Sequence, residues 1–385
     1  VLGTCWAGFH LYTYFFDTTN PFLVIHGIES QGYYAGDVAC CISSSKTGEL
    51  SLMLDNTALA DKFSISTRNH EYVFTIPTGA LSHGKHILKA RICDSCFGKN
   101  TTELTRDFYV DNTPLQAALI KSEPIYKIFQ GRTLHLQLQT NKPIAHATVE
   151  LLSHTYTFFP ESKNSLVYEA FIPITCEEKP NEYLFTAHVT DHVGNSATLE
   201  NKFQVVLYPF KKQNLQVSAE KMEEEEKLGH DVKHFEECIE TITRQSPAEK
   251  LWHGSFCTPI DVERVSCEFG TIRTTQKKGR YAHKALDVLN APRSVVWASQ
   301  DGIIALKERF AFSGNTVVID HGYGLLSLYC HLEDFAHIAV GEKIAKGSPL
   351  GTLGKTGYAS GYHLHWEMRL ANIAIDPMQW TRETF

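Results

Sequence analysis

The chain has 385 residues, 43% of them apolar, and a formal net charge of −7. That length is too great for one ordinary domain, and that apolar share excludes a disordered chain. The mild negative charge carries no nucleic-acid footprint, so no nucleic-acid partner is expected.

Residues 1–16 (VLGTCWAGFHLYTYFF) are apolar and hold no Asp, Glu, Lys or Arg. The stretch is shorter than the ~20 residues that span a bilayer. Two readings stand: the remnant of a signal anchor, giving a membrane anchor at the N-terminus, or a first β-strand or hydrophobic cap. Residues 17–208 then repeat internally. Asp17-Thr-Thr-Asn-Pro21 echoes Asp111-Asn-Thr-Pro114, and Tyr72-Val-Phe-Thr-Ile-Pro77 echoes Tyr168-Glu-Ala-Phe-Ile-Pro173. Asp94 to Asn100 echoes Asp191 to Asn195, and Phe108-Tyr-Val110 echoes Phe203-Gln-Val205. The offset is roughly 95 residues throughout, one domain length for a β-sandwich. Short alternating runs such as Thr133-Leu-His-Leu-Gln-Leu138 read as strands bounded by turns. Two tandem immunoglobulin-like β-sandwiches are therefore expected, over 17–110 and 111–208. Neither copy carries a catalytic cluster, so both read as spacers or binding modules. A chain cut to begin near Ser246 is then expected to fold and to keep its chemistry on soluble substrate.

Residues 209–250 change character. Lys221-Met-Glu-Glu-Glu-Glu226-Lys227 is a charge run, and Phe235, Ile239 and Ile242 recur at helical spacing. A charged helical linker packing one apolar face on a neighbour is predicted. A second reading has this helix occluding a groove downstream. The ten cysteines include Cys93-Asp-Ser-Cys96, with Cys40 and Cys41 in the same repeat. One or two disulfides within the first sandwich are expected, and Cys257 with Cys267 is a further candidate pair. That usage suits an oxidising, extracytoplasmic place.

Residues 251–385 carry the chemistry. His283-Lys-Ala-Leu-Asp287, Tyr329-Cys-His331-Leu332 and His363-Leu-His365-Trp-Glu367 are separated by Gly turns. On a strand, His363 and His365 point to one face while Leu364 points to the core. Leu326 to His331 also alternates, which turns Cys330 away from His331 and out of the chemistry. Three imidazoles thus converge from two strands, with His283 and Asp287 in reach. Imidazole plus carboxylate suits zinc, and three protein ligands leave a position for water. Five candidates exceed that need. The surplus pair would be His, the residue that moves protons near neutral pH. Spacing does not say which of His363 and His365 is a ligand. His321, one of 19 His, is read as structural.

The whole pattern resembles the lysostaphin-type (LytM-like) zinc metallopeptidases over the C-terminal third. It comprises His283-x-x-x-Asp287, Gly314-Asn315 to His321-Gly, Tyr329-x-His331-Leu332, Gly341 to Gly347, Gly351 to Gly357, and His363-Leu-His365-x-Glu367. Ala285 and Ser294 stand where that family commonly has Gly, but no ligand position is lost. The resemblance implies a C-terminal β barrel-sandwich hybrid, a mainly β chain overall, and one Zn2+ held by His283, Asp287 and His365. It implies His331 and His363 as catalytic imidazoles, and peptide cross-bridges of bacterial peptidoglycan as substrate. An extracytoplasmic enzyme, in the periplasm or cell envelope, is then expected. Two other classes share parts of the pattern: a non-hydrolytic peptidoglycan-binding or hydrolase-regulating protein, and a carrier of the related phosphotransfer fold. Complete ligands count against the first, and Asp287 with the His-x-His pair against the second. The pattern sets no oligomeric state.

Overall fold

The computed structural model describes residues 12, 14–65, 70–120, 125–216, 219–276 and 279–385. Residues 1–11 and 13, most of the expected anchor, lie outside them, as does Cys5. Among the described residues no helix is long and apolar enough to cross a membrane. The fold is mainly β, with short strands throughout.

Compactness divides the chain into two units, Val1–Leu115 with Thr190–Ser196, and Gln116–Val189 with Ala197–Phe385. In the first unit, Leu23–His26, Asp37–Ser44 and Glu71–Pro77 form one sheet. Tyr33–Tyr34, Thr101–Val110, Gly84–Asp94, Gly48–Leu54 and Thr57–Ile65 form another. Alternate residues face inward, so Leu23, Ile25 and Ile42 of one sheet pack with Leu50, Ile92 and Phe108 of the other.

Residues 116–206, all but Thr190–Ser196 in the second unit, repeat this plan. A four-stranded sheet holds Thr133–Thr140 and Val167–Pro173, and a five-stranded sheet holds Ile144–Leu151, Glu182–Asp191 and Ser196–Val206. The echo extends to detail. Tyr33–Tyr34 pairs parallel with Tyr109 and Val110, and Tyr126–Phe129 pairs parallel with Phe203 to Val206. Asp94 accepts from Asn100 N and Nδ2, both at 3.0 Å, and Asp191 accepts from the same atoms of Asn195 at 2.8 Å. In both, the Asp–Asn pair closes the turn that the sequence echo marks.

The C-terminal sheet runs in the order Arg264–Cys267, Leu286–Leu289, Leu364–Leu370, Leu325–Phe335, Gly314–Asp320, Gly302–Phe310, Lys343–Ile344. One face carries Trp366, Met368, Tyr329 and Leu325 into a core with Trp252 and Trp380. The other receives the linker helix Gly229–Gln245. Its Phe235 and Ile239 bury against Leu306, Phe310, Leu326 and Leu328, with Ile242 beside them. The predicted helical spacing is therefore a packing face.

The second β-sheet pair is tied into this core. Phe171, 5% exposed, belongs to the same buried cluster as Trp252 and Trp380. Gln379 receives the Thr133 amide at 2.7 Å, and Trp380 Nε1 donates to Thr133 Oγ1 at 3.1 Å. Lys250 Nζ lies 3.2 Å from the buried Glu169 carboxylate. The linker strand Lys212–Asn214 pairs parallel with Ile272–Thr275. A cut near Ser246 would strip away all four supports, so the expectation that such a fragment keeps its full fold loses its basis.

The disulfide expectation is also corrected: all nine described cysteines are free. Cys257 turns its thiol to the Ala298 and Ser299 carbonyls, while Cys267 stands in register opposite Asp287.

Candidate functional site

Register across three strands brings the site together. Asp287 pairs with His365 on one side and with Cys267 on the other. Paired residues in an antiparallel sheet share a face. His283 lies just before this strand, anchored by its amide to the Thr271 carbonyl at 2.9 Å and by Gly270 N to its own carbonyl at 2.7 Å.

Asp287 is the centre. Its Oδ2 lies 3.1 Å from His283 Nε2, and its Oδ1 lies 2.9 Å from His365 Nδ1 and 4.0 Å from His363 Nε2. Arg273 adds a guanidinium nitrogen 3.5 Å from Oδ2. The His331 and His363 rings are 4.8 Å apart, and the His331 and His365 rings 5.9 Å. Three imidazoles thus face the Asp287 carboxylate directly, and His331 joins them beside His363 and His365.

His331 arrives there by a route that alternation does not give. Its φ is +60°, in the left-handed region uncommon for a side-chain-bearing residue. Tyr329 and Leu332, three apart, both lie in the main core cluster, so alternation slips by one residue between them. The simple alternation expected for Leu326 to His331 ends at this slip. Cys330 is buried and in register with His365, on the face of Glu367 rather than away from the chemistry's side of the sheet. That placement corrects the expected direction of Cys330. Its thiol is pushed up to about 12, mainly by burial, so it remains no nucleophile.

The Gly turns seat the ring. Gly314 and Gly357 both have positive φ, and an added Cβ on Gly314 would lie 2.4 Å from the Thr356 carbonyl oxygen. Only glycine lets the two backbones approach this closely. Thr356 Oγ1 is then held by Asn315 N at 2.9 Å and Leu332 O at 2.6 Å, and the Thr356 carbonyl accepts from His331 Nδ1 at 2.8 Å. The Gly361 carbonyl likewise accepts from His363 Nδ1 at 2.9 Å. With Nδ1 donating, each ring leaves Nε2 as the nitrogen that can accept or give a further proton.

Electrostatics separate the five. Burial would raise the Asp287 carboxyl, but His283 and His365 beside it hold it far below the usual range. Burial would lower His365, yet Asp287 and Glu367 prevail and hold it up to about 9. Burial, then the charges of His365 and His363, push His331 down to about 3. Behind His365, Glu367 Oε2 lies 3.8 Å from Nε2. Arg369 binds Glu367 at 2.6 Å and reaches Glu236 of the linker helix at 2.5 and 3.0 Å. The region thus favours positive charge between Asp287 and Glu367.

A zinc ion fits these residues on one observation above all: His283 Nε2 is buried and has no hydrogen-bond partner although Asp287 Oδ2 is near. A buried polar nitrogen without a well-formed hydrogen bond is costly, and a cation held between it and Asp287 would relieve that cost. The nitrogen, carboxylate and nitrogen donors of His283, Asp287 and His365 suit zinc. Sequence reasoning did not single out Arg273 or Glu236; it had Thr356 only within the Gly351 to Gly357 turn pattern and Cys267 only as a disulfide candidate, because none lies in a His-containing motif. His321, read as structural, is fully buried and bonds Asp301 O at 2.6 Å and Ser327 Oγ at 2.7 Å.

Residues 281–377 match peptidase family M23, so the chain carries a domain of that family. Over 121 residues it is 33% identical to "Peptidoglycan DD-endopeptidase ShyC" of Vibrio cholerae, which is 31% of this chain and 28% of that protein. Over 120 residues it is 33% identical to "DD-carboxypeptidase/endopeptidase Mpg" of Neisseria meningitidis serogroup B, 31% of this chain and 27% of that protein. The match thus spans less than a third of either relative. Among solved structures, a putative peptidase M23 from Pseudomonas aeruginosa aligns with TM-score 0.46 and 20% identity, over 68% of this chain and 96% of that one.

Proposed function

We propose that the M23 domain at residues 281–377 is a zinc-dependent endopeptidase that hydrolyses the peptide cross-bridges of bacterial peptidoglycan. The observation that carries this reading is the gathering of three imidazoles on the buried Asp287 carboxylate, with the His331 ring 4.8 Å from His363, within the matched region. His283, Asp287 and His365 would hold the zinc; Nδ1 of His365 faces Asp287 and its Nε2 faces Glu367. When bound, zinc lowers the pKa of a water toward ~7 and polarises a carbonyl.

The chain's own residues do the rest. His331 and His363 both present Nε2 at the centre, because backbone carbonyls hold their Nδ1 protons. One of them takes the proton of the attacking water and returns it to the leaving amide nitrogen. The other, when it carries a proton on Nε2 as well, donates that N–H to the charge that grows on the scissile carbonyl oxygen; such groups are typically worth about 10²-fold or more in rate. Arg273 and the Glu367–Arg369–Glu236 chain fix Asp287 and His365 from behind. The relatives' names speak of peptidoglycan endopeptidases, and that substrate places the action outside the cytoplasmic membrane. The sandwiches of residues 17–110 and 111–208 serve as spacers or wall-binding modules ahead of the linker at 209–250.

The deciding experiment digests purified cross-linked muropeptides with the zinc-loaded full chain and weighs the products. Dimers should become monomers with one water added, and a chelator should stop the reaction. A folded, zinc-loaded protein that leaves every dimer intact would favour a binding or regulatory role instead.

A further inference from the structure

Cys267 stands where neither the peptidase pattern nor the proton chemistry asks for a thiol. Register sets it opposite Asp287, across a bulge in the pairing of Arg264–Cys267 with Leu286–Leu289. Its sulfur, one nitrogen of His283 and one oxygen of Asp287 all lie within 4.8 Å of one another. Exposures of 4%, 6% and 7% put the three residues in the interior. Most buried thiols pack as small apolar groups. This one does not: a carboxylate, an imidazole and the Arg273 guanidinium surround it. Its hydrogen bonds run to the Glu268 carbonyl at 3.8 Å and Gln213 Oε1 at 4.0 Å, both long. The independent pointer is His283, more than nine-tenths buried, whose Nε2 lacks a hydrogen bond at this same spot.

Resting on the zinc reading above, we propose that Cys267 is a further ligand, so that thiolate, carboxylate and two imidazoles close the resting metal centre. On binding, the S–H bond breaks, the proton leaves to solvent, and a sulfur lone pair forms the new bond. Four protein donors leave no position for water, as in structural zinc sites. Catalysis then requires exchange: the sulfur takes a proton from solvent as it leaves, and the oxygen of a water replaces it. Cys267 is thus a latch on the centre, released by loss or modification of one thiol.

X-ray absorption at the zinc edge of the full-length, zinc-loaded chain tests this. A sulfur shell at about 2.3 Å is expected in the wild type. It should vanish in Cys267→Ser and Cys267→Ala, which should still take up zinc but release it at least about tenfold more readily to a chromophoric chelator. A wild-type spectrum with only nitrogen and oxygen neighbours overturns the thiolate ligand and leaves the zinc site standing. A sulfur shell surviving in either folded variant also overturns it. A chain that takes up no zinc overturns both this inference and the reading beneath it. Should the variants not fold, the wild-type spectrum still decides.

Discussion

Among the described residues, one cluster of metal-donor side chains lies in each of the two units, and they end differently. In the first unit, Asp17, Asp94 and Cys96 bring donor atoms within 4.8 Å of one another. Lys46 sits among them, 2.8 Å from Asp17 and 3.2 Å from Asp94. In the second unit the nearest partners of Asp287 are imidazoles, at 2.9 and 3.1 Å, with the Arg273 guanidinium farther off at 3.5 Å. A lysine brings a near-permanent charge that closes its cluster. An imidazole yields its proton to a metal near neutral pH, so its cluster stays open to exchange. Donor residues at the right distance are therefore not enough. The neutralising charge has to be removable.

The comparison breaks most sharply at Asp287. Asp287→Ala should abolish both zinc uptake and turnover, whereas Asp94→Ala should change neither. Metal analysis of the two purified variants checks this, and full zinc content in Asp287→Ala would sink the ligand assignment. Next come His331→Ala and His363→Ala. Each should keep its zinc and lose about 10²-fold or more in turnover, because each acts on protons rather than on the metal. Loss of zinc in either would mean that a ligand and a base have been exchanged.

Packing sharpens the contrast between units. Phe171→Ala should destabilise the unit that carries the peptidase domain by about 3–5 kcal/mol, while Ile42→Ala should cost the first unit about 2–5 kcal/mol. Chemical denaturation followed by zinc release should register the first change and not the second. The smallest effect is expected at Lys46. Burial would raise Asp94, but Asn100 and Lys46 prevail and hold its carboxyl below the usual range. A depressed carboxyl stabilises the fold above the unfolded pKa of ~3.9, and that stability fades as pH falls through the lower folded value. Lys46→Met should therefore flatten the acid limb of the first unit's stability profile. An unchanged limb in denaturation midpoints measured across that range would remove Lys46 from the account.

The primary sequence by itself singled out the residues that gather at the candidate site: His283, Asp287, His331, His363 and His365 were legible from residue type, order and intervening Gly turns. So were the β-sandwich repeat and the helix face of Phe235, Ile239 and Ile242. Local rules set these features, since strand and helix periods and turn residues act within a few positions. Tertiary structure alone decided who stands beside Asp287. Cross-strand register seated Cys267 opposite it and His365 on its other side, and register depends on hydrogen bonds between strands distant in sequence. The left-handed turn at His331 broke the alternation that a local period assumes. Phe171 and Thr133 joined the C-terminal core for the same reason: burial against Trp252, Gln379 and Trp380 is a property of chain segments brought together by folding, and no local period encodes it.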